Sequence, residues 1–288
     1  MDFKALFNIV KPTRLTSIVD IGANPLDGGT PPYAPLLNSG ICDVTGFEPL
    51  PVALAELQKR KSPRERYLPY VIADGQKHQL RTCKAWGMTS LFEPDMATLS
   101  LFDVLKDLGQ VIERTEVNSK RLDDVDEITF LDFLKMDIQG AELMVLQHGR
   151  NKLKQAVAVQ AEVSFITLYQ NQPPMGEIDG ELRRQGFIPH CYADIKKWPI
   201  SPIVANNNPR LALNQLLEAD IVYIRDVTKP DAISDEQLKH LALIAHYCYH
   251  SLDLAGHCLK HLIQRGALPV NALETYTHSV THTVLSVP

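Results

Sequence analysis

The run Ser17-Ile18-Val19-Asp20-Ile21-Gly22-Ala23-Asn24 decides the fold of this chain. Residues 17–21 are compact and mostly apolar, and they end at a glycine, which is typical of a buried strand that leads into a tight turn. Glycine in such a turn lets the backbone approach a ligand closely, where a Cβ would clash. The run therefore predicts the first strand of a sheet and, directly after it, the edge of a ligand pocket.

The rest of the chain alternates between predicted strands and predicted helices. Further strands are expected at 44–47, 67–73, 128–136, 156–163, 187–192 and 219–225, with an added hairpin strand at 78–85. Helices are expected at 2–14, 52–61, 140–148 and 176–185. This alternation is typical of an open α/β fold, Rossmann-like, with a mostly parallel central sheet and helices on both faces. Ligands of such sheets bind outside the carboxyl ends of the strands.

Three parts of the chain are expected. An N-terminal helix covers 1–15, a Rossmann-like domain covers 16–228, and a helical extension covers 229–288. Ser234 has the chemistry of a helix N-cap, and the apolar spacing after it predicts a C-terminal helical hairpin. Because one helical pair cannot bury its own apolar face, the hairpin must pack on something. It is expected either to cap the domain or to form a homodimer.

Two further segments allow less definite predictions. The last twenty residues carry few structural signals and are expected to be loose. The segment 193–210, rich in proline and asparagine, is long for a plain connection. It is interpreted either as a lid over an acceptor or as a surface insert.

Composition excludes several classes of protein. The chain has 288 residues, 45% of them hydrophobic, and a net charge of −5. Without a dense stripe of lysine and arginine, nucleic acid is not expected as a partner. No run of about 18 apolar residues occurs, so no membrane span is expected. The five cysteines are odd in number and form no C-x-x-C, which argues against a disulfide framework and favours the cytoplasm.

Acidic residues recur where the predicted strands end. Core packing gives no reason for acids at this edge, so they indicate a ligand site. They are Asp20, Glu48, Asp74, Asp137 and Glu162.

The layout after the first two strands suits a nucleoside cofactor. Glu48 follows the second strand, where an acid can accept hydrogen bonds from both ribose hydroxyls. A dinucleotide fold needs G-x-G-x-x-G for the pyrophosphate, but here Asp20 replaces the first glycine. Its charge would repel a pyrophosphate and suit the sulfonium and ammonium of S-adenosylmethionine. The predicted cofactor-binding set is Asp20, Gly22, Ala23, Asn24, Glu48, Asp74 and Asp137.

Three carboxylates are candidates for catalysis: Asp137, Glu162 and Glu142. Asp137 ends the most apolar strand. Glu142 could equally be a first-turn acid favoured by the helix dipole, and Glu162 could equally be half of a structural ion pair. His190 is a weaker candidate base. The ten histidines form no metal-binding pattern, and no metal site is predicted.

Several motifs resemble those of the FkbM methyltransferases. Asp20-Ile21-Gly22-Ala23-Asn24 is similar to that family's D-V-G-A-N, and Gly46-Phe47-Glu48-Pro49 is similar to its A-F-E-P. Leu134-Lys135-Met136-Asp137-Ile138-Gln139-Gly140-Ala141-Glu142 resembles its most specific signature, L-K-I-D-V-[EQ]-G-A-E. Similar segments follow in the family's order at 88–92, 162–169, 186–187 and 214–217, so the resemblance covers about 16–226.

The resemblance implies S-adenosylmethionine-dependent methyl transfer to a hydroxyl oxygen of a sugar, glycan or natural product. By position, Asp20, Gly22, Asn24 and Glu48 would hold the cofactor, and Asp137 would lie beside its methionine moiety and the acceptor. The chain departs from the family where Pro25-Leu26-Asp27 precedes Gly28-Gly29. Two other interpretations stay open, namely a nicotinamide-dependent oxidoreductase and a non-catalytic module that binds the cofactor or a partner.

Overall fold

A seven-stranded sheet lies at the centre of the protein. The computed structural model describes residues 4–24 and 29–284. Its strands are β1 (Thr16–Ile21), β2 (Cys42–Phe47), β3 (Glu65–Leu68), β4 (Val71–Ala73), β5 (Lys77–Cys83), β6 (Val111–Arg121), β7 (Phe133–Met136), β8 (Ala158–Ser164), β9 (Phe187–Lys197) and β10 (Leu216–Arg225). The central sheet has the order β3-β2-β1-β7-β8-β10-β9. Its first five strands are parallel, and β10 runs antiparallel to both of its neighbours.

Helices cover both faces of this sheet. They are α1 (Ala5–Val10), α2 (Ala34–Asn38), α3 (Pro51–Arg60), α4 (Met96–Leu99), α5 (Leu105–Leu108), α6 (Glu142–Gln147), α7 (Arg150–Leu153), α8 (Met175–Arg184), α9 (Asp235–Tyr249), α10 (Leu252–Gln264) and α11 (Ala272–Val284). One core cluster joins a sheet face to α1, α2, α9 and α10, and a second joins the opposite face to α6 and α8. The predicted α/β, mostly parallel architecture is confirmed.

The strand order reverses at β1, which lies between β2 and β7. In open sheets of this kind, a crevice forms beyond the carboxyl ends of the strands at the point of reversal. That point is the turn Gly22–Asn24, in the run from which the fold was predicted.

The predicted strand 67–73 is wrong as a single element. β3 ends at Leu68, and β4 begins at Val71 in a separate sheet of order β4-β6-β5. Pro69 lies between them, and proline has no backbone N–H to donate to a ladder. β6 was not predicted, because most of its side chains are exposed and give no apolar alternation.

The C-terminal prediction is partly right. The expected hairpin is present as α9 and α10, and its apolar face packs on α1, α2 and the sheet, so within the chain it caps the domain. The expectation of a loose end is wrong as far as residue 284, because α11 places Ala272 and Tyr276 in the same core. Residues 285–288 lie outside the described residues. No helix in the described part of the chain is long and apolar enough to span a bilayer.

The segment 193–210, interpreted from the sequence as a lid or a surface insert, begins inside a strand. Residues 193–197 extend β9, and the remainder belongs to the connection from β9 to β10. Because Glu218 of β10 pairs with Ser164 of β8, this connection lies at the edge where β8 ends.

Candidate active site

Two clefts meet where β1 and β7 end. One is mainly apolar and the other is polar, and we call them the apolar cleft and the polar cleft. Three residues line both: Gly22, Asn24 and Asp137. The departure at Pro25–Gly28 that sequence analysis singled out lies outside the described residues.

Gly22 brings the two strand ends into contact. Its φ is +79°, and a Cβ there would lie 2.0 Å from the Asp137 carbonyl oxygen. The N–H groups of Gly22 and Ala23 both donate to the Phe47 carbonyl oxygen, each at 3.1 Å. Only glycine fits this position, so the turn is fixed against β2 on one side and β7 on the other.

The apolar cleft contains one buried acid. Glu48 is 3% exposed, and its Oε1 accepts a hydrogen bond from Leu50 N at 2.8 Å. Apolar and aromatic side chains form most of the remaining wall, among them Phe47, Tyr70, Ile72, Leu80 and Trp86. An apolar cleft with a carboxylate at the end of β2 could hold an adenosyl group, as the sequence predicts.

The floor of the polar cleft is a row of charged and polar side chains across the sheet: Asp20, Lys135, Gln160 and Asp220. Asp20 is 3% exposed. Its Oδ2 accepts from Tyr33 OH at 2.6 Å, and its Oδ1 lies 3.2 Å from Lys135 Nζ. Burial by itself lowers the pKa of Lys135, but the charges of Asp20 and Asp137 outweigh it and the net pKa is raised.

This pairing changes the argument made from the charge of Asp20. Lys135 already neutralises that charge inside the protein, so Asp20 supports the floor of the site and is not an unpaired anion facing the cofactor. Asp137 is half-buried and lines both clefts. It therefore lies where the two clefts meet.

Glu142 is not a cleft residue. It is 2% exposed and accepts backbone hydrogen bonds from Ile138 N at 3.0 Å and Gly140 N at 2.9 Å. It does not occur among the described residues that line the two clefts. Burial raises its pKa to about 7, against the opposing effect of those backbone bonds. Glu142 thus holds the loop after Asp137, and its catalytic role stays a prediction.

Glu162 is half of a buried ion pair. It is 4% exposed, with Lys196 Nζ 2.5 Å from its Oε1 and Gln139 Nε2 2.5 Å from its Oε2. It is missing from the described lining of either cleft. Burial raises its pKa, and the charges of Asp137 and Glu218 add to the rise. These contacts favour the structural alternative for Glu162, which is joined to Asp137 through Gln139, and its catalytic role stays a prediction.

Asp74 and His190 are not among the described residues that line the two clefts. Asp74 follows β4, two residues after Ile72 of the apolar cleft, and it accepts from Gln76 N at 2.9 Å and lies 2.7 Å from His78 Nε2. His190 is hydrogen-bonded to Ser251 Oγ at 2.9 Å, beside the C-terminal helices. The cofactor role expected of Asp74 stays a prediction.

The methyltransferase FkbM domain, as a family model, matches residues 20–189, more than half of the chain. The chain belongs to the FkbM methyltransferase family. S-adenosylmethionine is accordingly its cofactor, and the nicotinamide alternative is set aside. No curated protein matches the chain.

Solved structures that resemble this FkbM protein do so distantly. A TehB-like SAM-dependent methyltransferase of Corynebacterium glutamicum is 12% identical, with 77% of this chain and 87% of that chain covered and a TM-score of 0.34. Magnesium protoporphyrin IX methyltransferase of Synechocystis is 9% identical, with coverage of 77% and 79% and a TM-score of 0.37. Precorrin-6y C5,15-methyltransferase of Geobacter metallireducens is 9% identical, with coverage of 77% and 87% and a TM-score of 0.37.

Sequence reasoning missed several residues of the FkbM site. Lys135 and Tyr33 pair with Asp20. Gln139 connects Asp137 to Glu162, and Lys196 pairs with Glu162. Lys135 had a usable signal, because a lysine inside an apolar strand must find a buried partner. Within the described residues, no group of three or more His, Cys, Asp or Glu side chains could hold a metal.

Proposed function

We propose that this methyltransferase transfers a methyl group to a hydroxyl oxygen of a sugar, glycan or natural product, with Asp137 as the base. The observation that carries the proposal is the position of Asp137, which lines both clefts where they meet. The apolar cleft would hold the adenosyl group, with Glu48 on the ribose. The methionine end and the acceptor hydroxyl would meet beside Asp137.

S-adenosylmethionine, when bound, supplies a methyl carbon that is activated by its sulfonium sulfur. Asp137 would orient the acceptor hydroxyl and accept its proton as the new oxygen–carbon bond forms and the carbon–sulfur bond breaks. The products are a methyl ether, S-adenosylhomocysteine and a proton on the carboxyl group. Because the donor is already reactive, positioning accounts for much of the work of the site.

The polar cleft supports a hydroxylated acceptor. Its walls present hydrogen-bonding groups of both kinds, namely phenols, amides, cations and carboxylates, and they include Tyr33, Tyr67, Lys135, Gln160 and Asp220. A site of this composition is suited to a ligand with several hydroxyl groups, whose buried polar atoms need partners.

The test is Asp137→Asn, which keeps the size of the side chain and removes the base. We expect turnover on a panel of glycans and hydroxylated natural products to fall by about 10²–10⁴-fold. Affinity for S-adenosylhomocysteine, measured by titration calorimetry, should stay within about threefold, since that thioether carries no sulfonium charge. Asp43→Asn, at the exposed start of β2, is the matched control.

Turnover retained by Asp137→Asn with normal cofactor affinity would exclude Asp137 as the base. Cofactor binding without turnover on any member of the panel would favour the non-catalytic module. Three further expectations stay proposals: domain limits at residues 15 and 228, a homodimer through the C-terminal helices, and a cytoplasmic location. All five cysteines are free, which supports the last of these.

A further inference from the structure

The side chain of Gln139 joins Asp137 to the buried ion pair behind it. Gln139 Nε2 donates to Asp137 Oδ1 at 3.0 Å and to Glu162 Oε2 at 2.5 Å. Tyr169 OH lies 3.0 Å from Gln139 Oε1 and 3.1 Å from the Met88 carbonyl oxygen, and it shares its single hydrogen between them. Because the two carboxylates only accept hydrogen bonds, the amide nitrogen must face them.

The backbone at this position is held as firmly as the side chain. Gln139 has a φ of +54°, and Gly140 after it has a φ of +110°. Ser90 Oγ donates to the Gln139 carbonyl oxygen at 2.7 Å, and Glu142 accepts the N–H groups on either side. A non-glycine residue persists in the left-handed region only where its surroundings fix it, and such residues cluster at functional sites.

Acids outnumber cations around Asp137. The charged and titratable groups that interact with it from the neighbouring elements are Lys135, Glu142, Glu162, Lys196, Glu218 and Asp220. Lys196 Nζ lies 2.5 Å from Glu162 Oε1 and 3.6 Å from Glu218 Oε2, so one cation serves two buried acids. Nearby carboxylates drive one another toward the neutral form, whereas a donated hydrogen bond favours the charged form.

We propose that Gln139 is a positioning residue that keeps the Asp137 carboxylate directed toward the sulfonium of the donor. The proposal rests on the proposed function, because it takes Asp137 to face the donor. The amide group of Gln139 donates hydrogen bonds to both Asp137 and Glu162 and carries no charge. A charged donor at this position would change the balance of charge between the two carboxylates. Tyr169 fixes the direction of the amide, and the pair Glu162–Lys196 anchors its far end.

The experiment compares two ligands that differ by one charge. S-adenosylmethionine carries the sulfonium and S-adenosylhomocysteine does not, so the ratio of their affinities reports how closely the Asp137 carboxylate faces the sulfonium. Titration calorimetry at one pH is run on the wild type, on Gln139→Met, on Asp137→Asn and on Gln147→Met. Methionine keeps the length of glutamine and loses its hydrogen bonds, and Gln147 is exposed on α6.

We expect the preference for S-adenosylmethionine over S-adenosylhomocysteine to fall by about tenfold in Gln139→Met, the equivalent of one hydrogen bond to a charged group. Gln147→Met should match the wild type. An unchanged preference in Gln139→Met, with a reduced one in Asp137→Asn, overturns the inference alone. An unchanged preference in Asp137→Asn overturns the placement of Asp137 opposite the donor, and the inference with it. If circular dichroism shows that Gln139→Met does not fold, Tyr169→Phe takes its place, with a smaller fall in the preference expected and an unchanged preference again contradicting the inference.

Discussion

One face of the central sheet is divided into two halves with opposite chemistry. At the amino ends of the parallel strands it is buried and apolar, with Ile18, Phe133, Ala158 and Val222 in one core cluster. Two residues away on each strand the same face carries Asp20, Lys135, Gln160 and Asp220. On β10, which runs the other way, the polar residue comes first. Residues two positions apart on a strand share a face of the sheet. On this face, one residue of each such pair belongs to the core and the other lines the polar cleft.

Tyr249, at the end of α9, marks the boundary between the halves. Its ring packs edge-on against Phe133, with centroids 6.0 Å apart, and its OH donates to Gln160 Oε1 at 2.8 Å. The C-terminal helices therefore cover the apolar half and stop where the polar half begins. The difference teaches that these helices stabilise the fold without closing the site.

The largest effect is expected from breaking the charge balance in the polar half. Lys135→Met leaves Asp20 buried without its cation, and we expect a loss of about 4–5 kcal/mol in the free energy of unfolding. Asp20→Leu combined with Lys135→Met should recover most of that loss while ligand binding stays impaired. Urea denaturation measures both, with Lys77→Met, at a side chain 70% exposed, as control. If Lys135→Met were as stable as the wild type, Lys135 would not be needed to balance the charge of Asp20.

The matching change in the apolar half is Phe133→Ala. Phe133 is fully buried, so its truncation should cost about 4 kcal/mol through lost burial and the cavity left behind. Affinity for S-adenosylhomocysteine should stay near that of the wild type under conditions where the variant is folded. If affinity fell in proportion to the free energy of unfolding, the two halves would not be energetically independent.

The sequence predicts the positions of strand ends better than the partners of side chains. Glu48 and Asp137 line a cleft as expected, because the carboxyl ends of parallel strands meet at one edge. Glu142 and Glu162 are also near that edge, but one faces backbone N–H groups and the other faces Lys196, 34 residues away. Residue type and spacing do not distinguish these environments.

The elements that escaped prediction depend on tertiary contacts. β6 has mainly exposed side chains, and its pairing with β5 and β4 provides the order that its composition does not indicate. α11 is fixed by Tyr276, which is 1% exposed and whose OH lies 3.1 Å from His246 Nδ1. Such contacts join distant parts of the chain, so they cannot be predicted from a local sequence pattern.

A smaller effect is expected from Glu142, which lies beneath the loop after Asp137. Its pKa of about 7 in the folded protein is above the ordinary value of 4.5, so the folded state holds the proton more tightly than the unfolded chain. Its contribution to stability is complete below pH 4.5 and is lost as the pH rises to 7, by about 3 kcal/mol. Glu142→Gln should flatten this fall, whereas Glu113→Gln, at an exposed site, should keep the slope of the wild type. If the free energy of unfolding fell equally steeply with pH in Glu142→Gln and in the wild type, the fall could not be assigned to Glu142.

The smallest effect concerns the start of the helices that cover the apolar half. Ser234 and Gln237 form a capping box, in which Ser234 Oγ accepts from Gln237 N at 3.2 Å and Gln237 Oε1 accepts from Ser234 N at 3.0 Å. Ser234→Ala should lower the free energy of unfolding by about 1 kcal/mol, because a backbone N–H at the helix start loses its acceptor. Ser39→Ala, at the end of α2 rather than at a helix start, is the control.

Affinity for S-adenosylhomocysteine should be the same in Ser234→Ala and the wild type, because Tyr249, which contacts the polar half, lies at the opposite end of α9. A loss of affinity would mean that the start of α9 is coupled to the site along the whole helix. Unchanged affinity with the expected loss of stability would confine the role of the cap to the apolar half, where α9 begins its contact with the sheet.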